Sequence, residues 1–103
     1  MGVQLRENKH DLLSITISPA SVAANTTAEQ LFPVTGLNVG DWTEIVKPTT
    51  QAGLAIGNVR VSSANNVAVE FINDTAGAIV PTAAEVYLLL VYRPDGIRTA
   101  FSL

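Results

Sequence analysis

Apolar and polar residues alternate along most of this chain, and turn residues break the alternation every few positions. Leu13, Ile15 and Ile17 alternate with Ser14, Thr16 and Ser18, the pattern of a half-buried strand, and Pro19 ends it. Residues 20–27 are Ala, Ser, Val, Asn and Thr and read as a connection. A strand is predicted over 28–35 around Phe32 and Val34; Pro33 lacks an amide donor, so this strand belongs at a sheet edge or carries a bulge. Gly36 to Asp41 reads as a turn region. A strand follows over 42–47 and stops at Pro48, and 49–53 is loop. Residues 54–56 suit a short strand or a helical turn, with Gly57 as a break.

The best local signal is a hairpin. Val59 and Val61 alternate with Arg60 and Ser62, and Val67, Val69 and Phe71 alternate with Ala68 and Glu70. Pairing Val61 with Val69 and Val59 with Phe71 puts both apolar sets on one face. This register implies a three-residue Ala64-Asn65-Asn66 loop with Asn66 left-handed, and sets Arg60 opposite Glu70. A two-residue Ala64-Asn65 loop would place Val59 opposite Glu70. Loops are predicted at 73–77 and 81–84, then a last body strand over 85–93. Its run Val86-Tyr87-Leu88-Leu89-Leu90-Val91-Tyr92 is apolar on both faces, so a second sheet, a subunit or a terminal arm must cover the side away from the core. Pro94-Asp95-Gly96 reads as a turn, and 97–103 as a tail able to add an edge strand to a neighbour. No helix-length crossover separates the strands, which excludes a parallel α/β fold. The expectation is an all-β antiparallel sandwich or barrel of about seven short strands. It comprises an N-terminal arm (1–11), a β-sandwich domain (12–94) and a C-terminal arm (95–103).

Composition narrows the function. The chain has 103 residues, enough for one domain with one modest core. Hydrophobic residues make up 48% and charged residues 15%, which excludes a disordered chain. The ends are nearly balanced in charge, whereas the middle carries only Lys47 and Arg60 against six acids. A body so poor in charge fits an assembly, because buried contacts are depleted of charged side chains. The net charge of −3 lacks the basic footprint of a nucleic-acid binder. No apolar run approaches the roughly 20 residues of a membrane span, and the first residues lack the apolar core of a secretion signal.

Candidate chemistry is sparse. There is no cysteine, which removes disulfides, thiolate metal sites and cysteine nucleophiles, and the single histidine, His10, makes no multi-histidine centre. A Ser/His/Asp triad would have to use His10 in a polar terminal segment, poorly suited to hold a base in place. Asp41, Glu44 and Asp95 read as scattered surface acids. Gly36-x-x-x-Gly40 and Gly53-x-x-x-Gly57 read as turns. Asn25-Thr26-Thr27 and Asn73-Asp74-Thr75 fit the glycosylation acceptor pattern, which arises readily by chance in an Asn- and Thr-rich chain. Trp42 suits packing in a core or interface better than a sugar platform. No catalytic, cofactor or metal site is expected.

The run Ile15-Thr16-Ile17-Ser18-Pro19-Ala20-Ser21-Val22-Ala23-Ala24-Asn25-Thr26-Thr27-Ala28-Glu29-Gln30 resembles the opening of small structural proteins of tailed bacteriophages. Gly36-Leu37-Asn38-Val39-Gly40-Asp41, Lys47-Pro48, Ala52-Gly53-Leu54-Ala55-Ile56, Arg60-Val61-Ser62, Asn65-Asn66-Val67, Phe71 with Asn73, Pro81-Thr82-Ala83, Tyr87 and Arg93-Pro94 continue the resemblance over about 13–94. Within that group the chain is similar to capsid cement or decoration proteins. The resemblance implies a protein made in the host cytoplasm that ends on the exterior of the virion. There it would bind the major capsid protein and stabilise the shell as a homotrimer near a threefold axis, with Trp42 and the arms 1–11 and 95–103 in its contacts. Two rivals are carried. One is a fibre, neck or tail module of the virion, touching host glycans through aromatics near 36–42 or 73–82. The other is a bacterial carbohydrate-binding or adhesin domain.

Overall fold

The computed structural model describes residues 9–94, which form six strands and no helix. They are β1 (Lys9–Ile17), β2 (Thr26–Pro33), β3 (Trp42–Val46), β4 (Leu54–Ser63), β5 (Asn66–Asn73) and β6 (Glu85–Arg93). Two three-stranded sheets result, ordered β1-β6-β3 and β2-β5-β4, with every pairing antiparallel. The all-β antiparallel expectation holds. The strand number is six among the described residues, and the sheets remain separate layers rather than a closed barrel. Both expected arms fall largely on 1–8 and 95–103, outside the described residues, while β1 begins at Lys9 and so takes in Lys9–Asp11.

Between the layers lies a core of Val22, Val34, Leu37, Val61, Val67, Val69, Phe71, Tyr87, Leu89 and Val91. Strand period decides membership: Tyr87, Leu89 and Val91 on β6 face Val67, Val69 and Phe71 on β5, and both strands are central in their sheets. The layers are tied on one side, where the Thr43 hydroxyl on β3 donates to the Val59 carbonyl on β4 at 3.1 Å. No comparable approach joins β1 to β2 among the described residues. Val22, in the connection after β1, closes part of that side and pairs with Ile79. Pro33 ends the edge strand β2, where its missing donor costs the sheet nothing.

The hairpin corrects the predicted register. Val61 pairs with Val67 and Val59 with Val69, so Arg60 lies opposite Ala68, not Glu70. The loop is the two-residue Ala64-Asn65, and Asn65 (φ 65°), not Asn66, is left-handed. Two bulges reconcile this loop with the apolar pattern. Each inserts one extra β4 residue, one between Val61 and Ser63 and one between Ile56 and Val59. The second shifts the apolar positions from even (Leu54, Ile56) to odd (Val59, Val61) and keeps all of them packed on the core. Gly57 is therefore a bulge inside a continuous ten-residue strand, not a break. A Cβ at Gly57 would run into the Glu70 carboxylate, which accepts from the Asn58 amide at 3.0 Å.

Candidate interaction surface

Strand β6 is apolar on both faces, and its second face is uncovered by any described residue. The register sets Tyr92 between His10 and Trp42, Leu90 between Leu12 and Glu44, Leu88 between Ser14 and Val46, and Val86 beside Thr16. These residues make the outer face of the β1-β6-β3 sheet. Leu12 is 65% exposed, Val46 59%, Trp42 53%, Val86 50% and Leu88 42%. Single exposed apolar residues are ordinary, whereas a contiguous patch marks an interaction site. Only His10 and Glu44 on it are ionisable.

One end of this face is aromatic. The His10 and Tyr92 rings lie 6.3 Å apart and nearly parallel, and Trp42 meets Tyr92 edge-on at 6.4 Å. Trp42, Tyr92, Gly40, Asp41 and Pro94 line an open apolar cleft of about 460 Å³. The cleft is braced from behind. Asp41, its side chain 2% exposed, accepts from Arg93 Nε at 2.8 Å and Nη2 at 2.6 Å, and from the Asn38 amide at 2.9 Å. Arg93 Nη2 also donates to the Gly36 carbonyl at 2.8 Å. The Arg93 bonds, helped by the Asn38 amide, hold the Asp41 carboxyl below its ordinary range against the opposing effect of burial. The turn over 36–41 is thereby fixed to the end of β6, directly before Trp42.

The outer face of β2-β5-β4 is different. The Arg60 guanidinium donates to both Glu29 oxygens at 2.8 Å, crossing the central strand where the small, fully buried Ala68 stands opposite Arg60 and Leu31. The Arg60 bonds lower the Glu29 pKa. A second ion pair sits at the far end of the sandwich. Lys47 Nζ lies 2.9 Å from Glu85 Oε1, Thr49 donates to Glu85 Oε2, and these bonds lower the Glu85 pKa. Behind Glu85 the Tyr87 phenol is buried with no hydrogen-bond partner among the described residues, and its pKa is pushed up to about 12 by burial and by the Glu85 charge.

The residues singled out from sequence fall as follows. Trp42 sits on the exposed face, beside the 36–41 turn. His10 belongs to β1 and stacks on Tyr92, a fixed position rather than a loose tail. Asp41 is a buried brace, Glu44 lies on the apolar face, and Asp95 lies outside the described residues. Asn73, of the second acceptor pattern, is 1% exposed. Its amide donates to the Val22 and Gly77 carbonyls at 3.1 and 2.9 Å, and its oxygen accepts from the Thr75 amide and hydroxyl. It is a structural latch, closed to modification in the folded chain. The Arg93–Asp41 brace was missed; its one signal is an arginine ending an apolar strand. No group of three His, Asp or Glu residues suited to a metal occurs among the described residues. Comparison with protein families, with curated proteins and with solved structures finds no match.

Proposed function

We propose that this chain is a capsid cement or decoration protein of a tailed bacteriophage, which binds the major capsid protein on the outside of the shell and holds neighbouring subunits together as a homotrimer. The observation that carries the reading is the broad, nearly uncharged outer face of the β1-β6-β3 sheet. Clamping requires contact area and rigidity, not an active site. The face fits this task, with Trp42, Tyr92 and leucines at its centre and Arg93 fixing the geometry, residue types that concentrate binding energy in interfaces. Three strands at ~4.8 Å spacing and about 30 Å of β6 give roughly 400 Å² in plan. A standard stable interface takes about 800 Å² from each partner. One face therefore falls short alone, and several copies on symmetric neighbours supply the difference by avidity. The sequence resemblance over about 13–94 supplies the identity of the partner. The test is co-sedimentation with purified shells that lack the protein, followed by imaging. Saturable binding at symmetry-related sites and shells that survive more heat support cementing; a chain that ignores shells but binds isolated tails or necks overturns it.

The second reading, a fibre, neck or tail module that binds glycans, is favoured by one observation: exposed Trp42 and Tyr92 flank an apolar cleft beside the 36–41 turn. Aromatic faces stack on the apolar faces of pyranose rings, and the brace behind Trp42 keeps the ring in place. Titration with host-surface saccharides, read by Trp42 fluorescence, separates the two: a saturable shift lost in Trp42→Ala favours the module.

A further inference from the structure

The four edge strands are not equally protected. An open edge invites pairing with another chain, and proteins blunt it with proline, charge, bulges or brevity. β2 carries Glu29 and ends on Pro33, β4 carries two bulges and Arg60, and β3 is five residues long and leans on β4. β1 has none of these devices. It is nine residues long, holds an unbroken register with β6, and is uncharged from Leu12 to Ile17. No described residue pairs with its other edge. Its core-side residues Leu13, Ile15 and Ile17 are half-buried, whereas Tyr87, Leu89 and Val91 beside them on β6 are buried. The β1 flank of the sandwich thus has room for one more strand.

We infer that this strand is Ile97–Leu103 of a neighbouring copy of the same chain. The segment reads Ile-Arg-Thr-Ala-Phe-Ser-Leu, with Ile97, Thr99, Phe101 and Leu103 on one side and Arg98, Ala100 and Ser102 on the other. Antiparallel pairing of Leu103 with Leu13, Phe101 with Ile15 and Thr99 with Ile17 covers the half-buried residues of β1 and sets Ser102 opposite Ser14. No charges are brought together over the paired stretch. The segment leaves the structure at Pro94, just beyond β6, whose two flanks β1 and β3 already occupy. The sequence Arg93-Pro94-Asp95-Gly96 suits a tight turn, which brings its ends within about 7 Å. The free flank of β1 lies two strand spacings, about 10 Å, from β6. A tight turn returns the tail to a lane that is taken, and the tail is spent on a neighbour. The contact is head-to-tail, so a closed ring results if the rotation closes. This inference concerns copies of the chain alone and stands whether or not shells are bound.

The absence of cysteine permits a direct test in the full-length chain. Ser14→Cys protein is mixed with Ser102→Cys protein under mild oxidation, with Thr16→Cys as a partner that catches a register slip. Disulfide-linked dimers joining 14 or 16 to 102, mapped by peptide mass spectrometry, are the expected result. In the double variant, a link formed only within one chain overturns the inference, as does the absence of a 14–102 or 16–102 link. Dominant capture of a Leu5→Cys variant by Ser14→Cys instead assigns the edge to the N-terminal segment and also overturns it. As a second readout, Phe101→Asp in the otherwise unaltered chain speeds amide exchange in β1 by about tenfold and leaves β5 unchanged; equal exchange in both proteins contradicts the pairing.

Discussion

The two sheets share size and pairing but present opposite outer faces. β2-β5-β4 spans its middle with a Glu29–Arg60 bridge over a buried alanine. β1-β6-β3 offers Leu12, Leu88, Val46 and Trp42 to its surroundings. Both sheets contribute inward residues to the same core, so this difference does nothing for the fold of one chain. It is the cost of a surface meant to be covered, and it assigns the interface to one sheet. The edges repeat the lesson, since β1, in the apolar sheet, is the edge without protection.

The largest effect should come from placing charge on the apolar face. Leu88→Glu weakens binding to shells by at least about 100-fold, as a buried unpaired carboxylate would, yet leaves the melting temperature of the free chain nearly unchanged. Equilibrium sedimentation with shells and calorimetry check the two halves. Removing the brace comes next. Arg93→Ala leaves the buried Asp41 carboxylate without its main partner and lowers stability by about 1–2 kcal/mol, read by denaturant titration. It also loosens Trp42, so binding falls with stability, whereas Leu88→Glu separates them.

The charged contacts predict a pH profile. Glu29, Asp41 and Glu85 have pKa values held below their ordinary 4.5, 3.8 and 4.5 by Arg60, by Arg93 and by Thr49 with Lys47. A carboxyl with a depressed folded pKa stabilises the fold above its unfolded pKa and loses that contribution as pH falls through the folded value. Stability is therefore level from about pH 5 upward on this account and declines below about pH 4. Tyr87 acts in the opposite sense: its folded pKa is raised from 10.0 to about 12, so its contribution is complete below 10 and disappears as pH rises between the two. Thermal melts across pH 2–12 (on the order of one per pH unit) check both limbs. The smallest effect is reserved for the other face: Leu31→Glu on β2 leaves binding to shells within about twofold of the unaltered protein.

Strand β6 was legible to the residue, because a strand covered on both faces reads as a continuous apolar run between Ala84 and Pro94. The hairpin was legible as a hairpin but not in register. Its turn is chosen by tertiary bonds: the Asn65 amide donates to the Leu37 carbonyl, its carbonyl accepts from Val34, and its side-chain oxygen accepts from the Gly36 amide at 2.7 Å. Local pattern carries no trace of these partners. The bulge at Gly57 did leave a trace, in the switch of apolar parity between Ile56 and Val59. The apolar face was half legible. Strand β6 announced it, but the flanking Leu12, Val46 and Trp42 join it only through a sheet order that brings β1 and β3 to the two sides of β6.

The central claim is that one face, the outer side of β1-β6-β3, meets the shell. Shells lacking the protein, incubated with the unaltered chain, Leu88→Glu and Leu31→Glu and then sedimented, test it in one experiment. The account predicts saturable co-sedimentation of the unaltered chain and of Leu31→Glu, and none of Leu88→Glu. Equal binding of all three, or loss with Leu31→Glu alone, contradicts it.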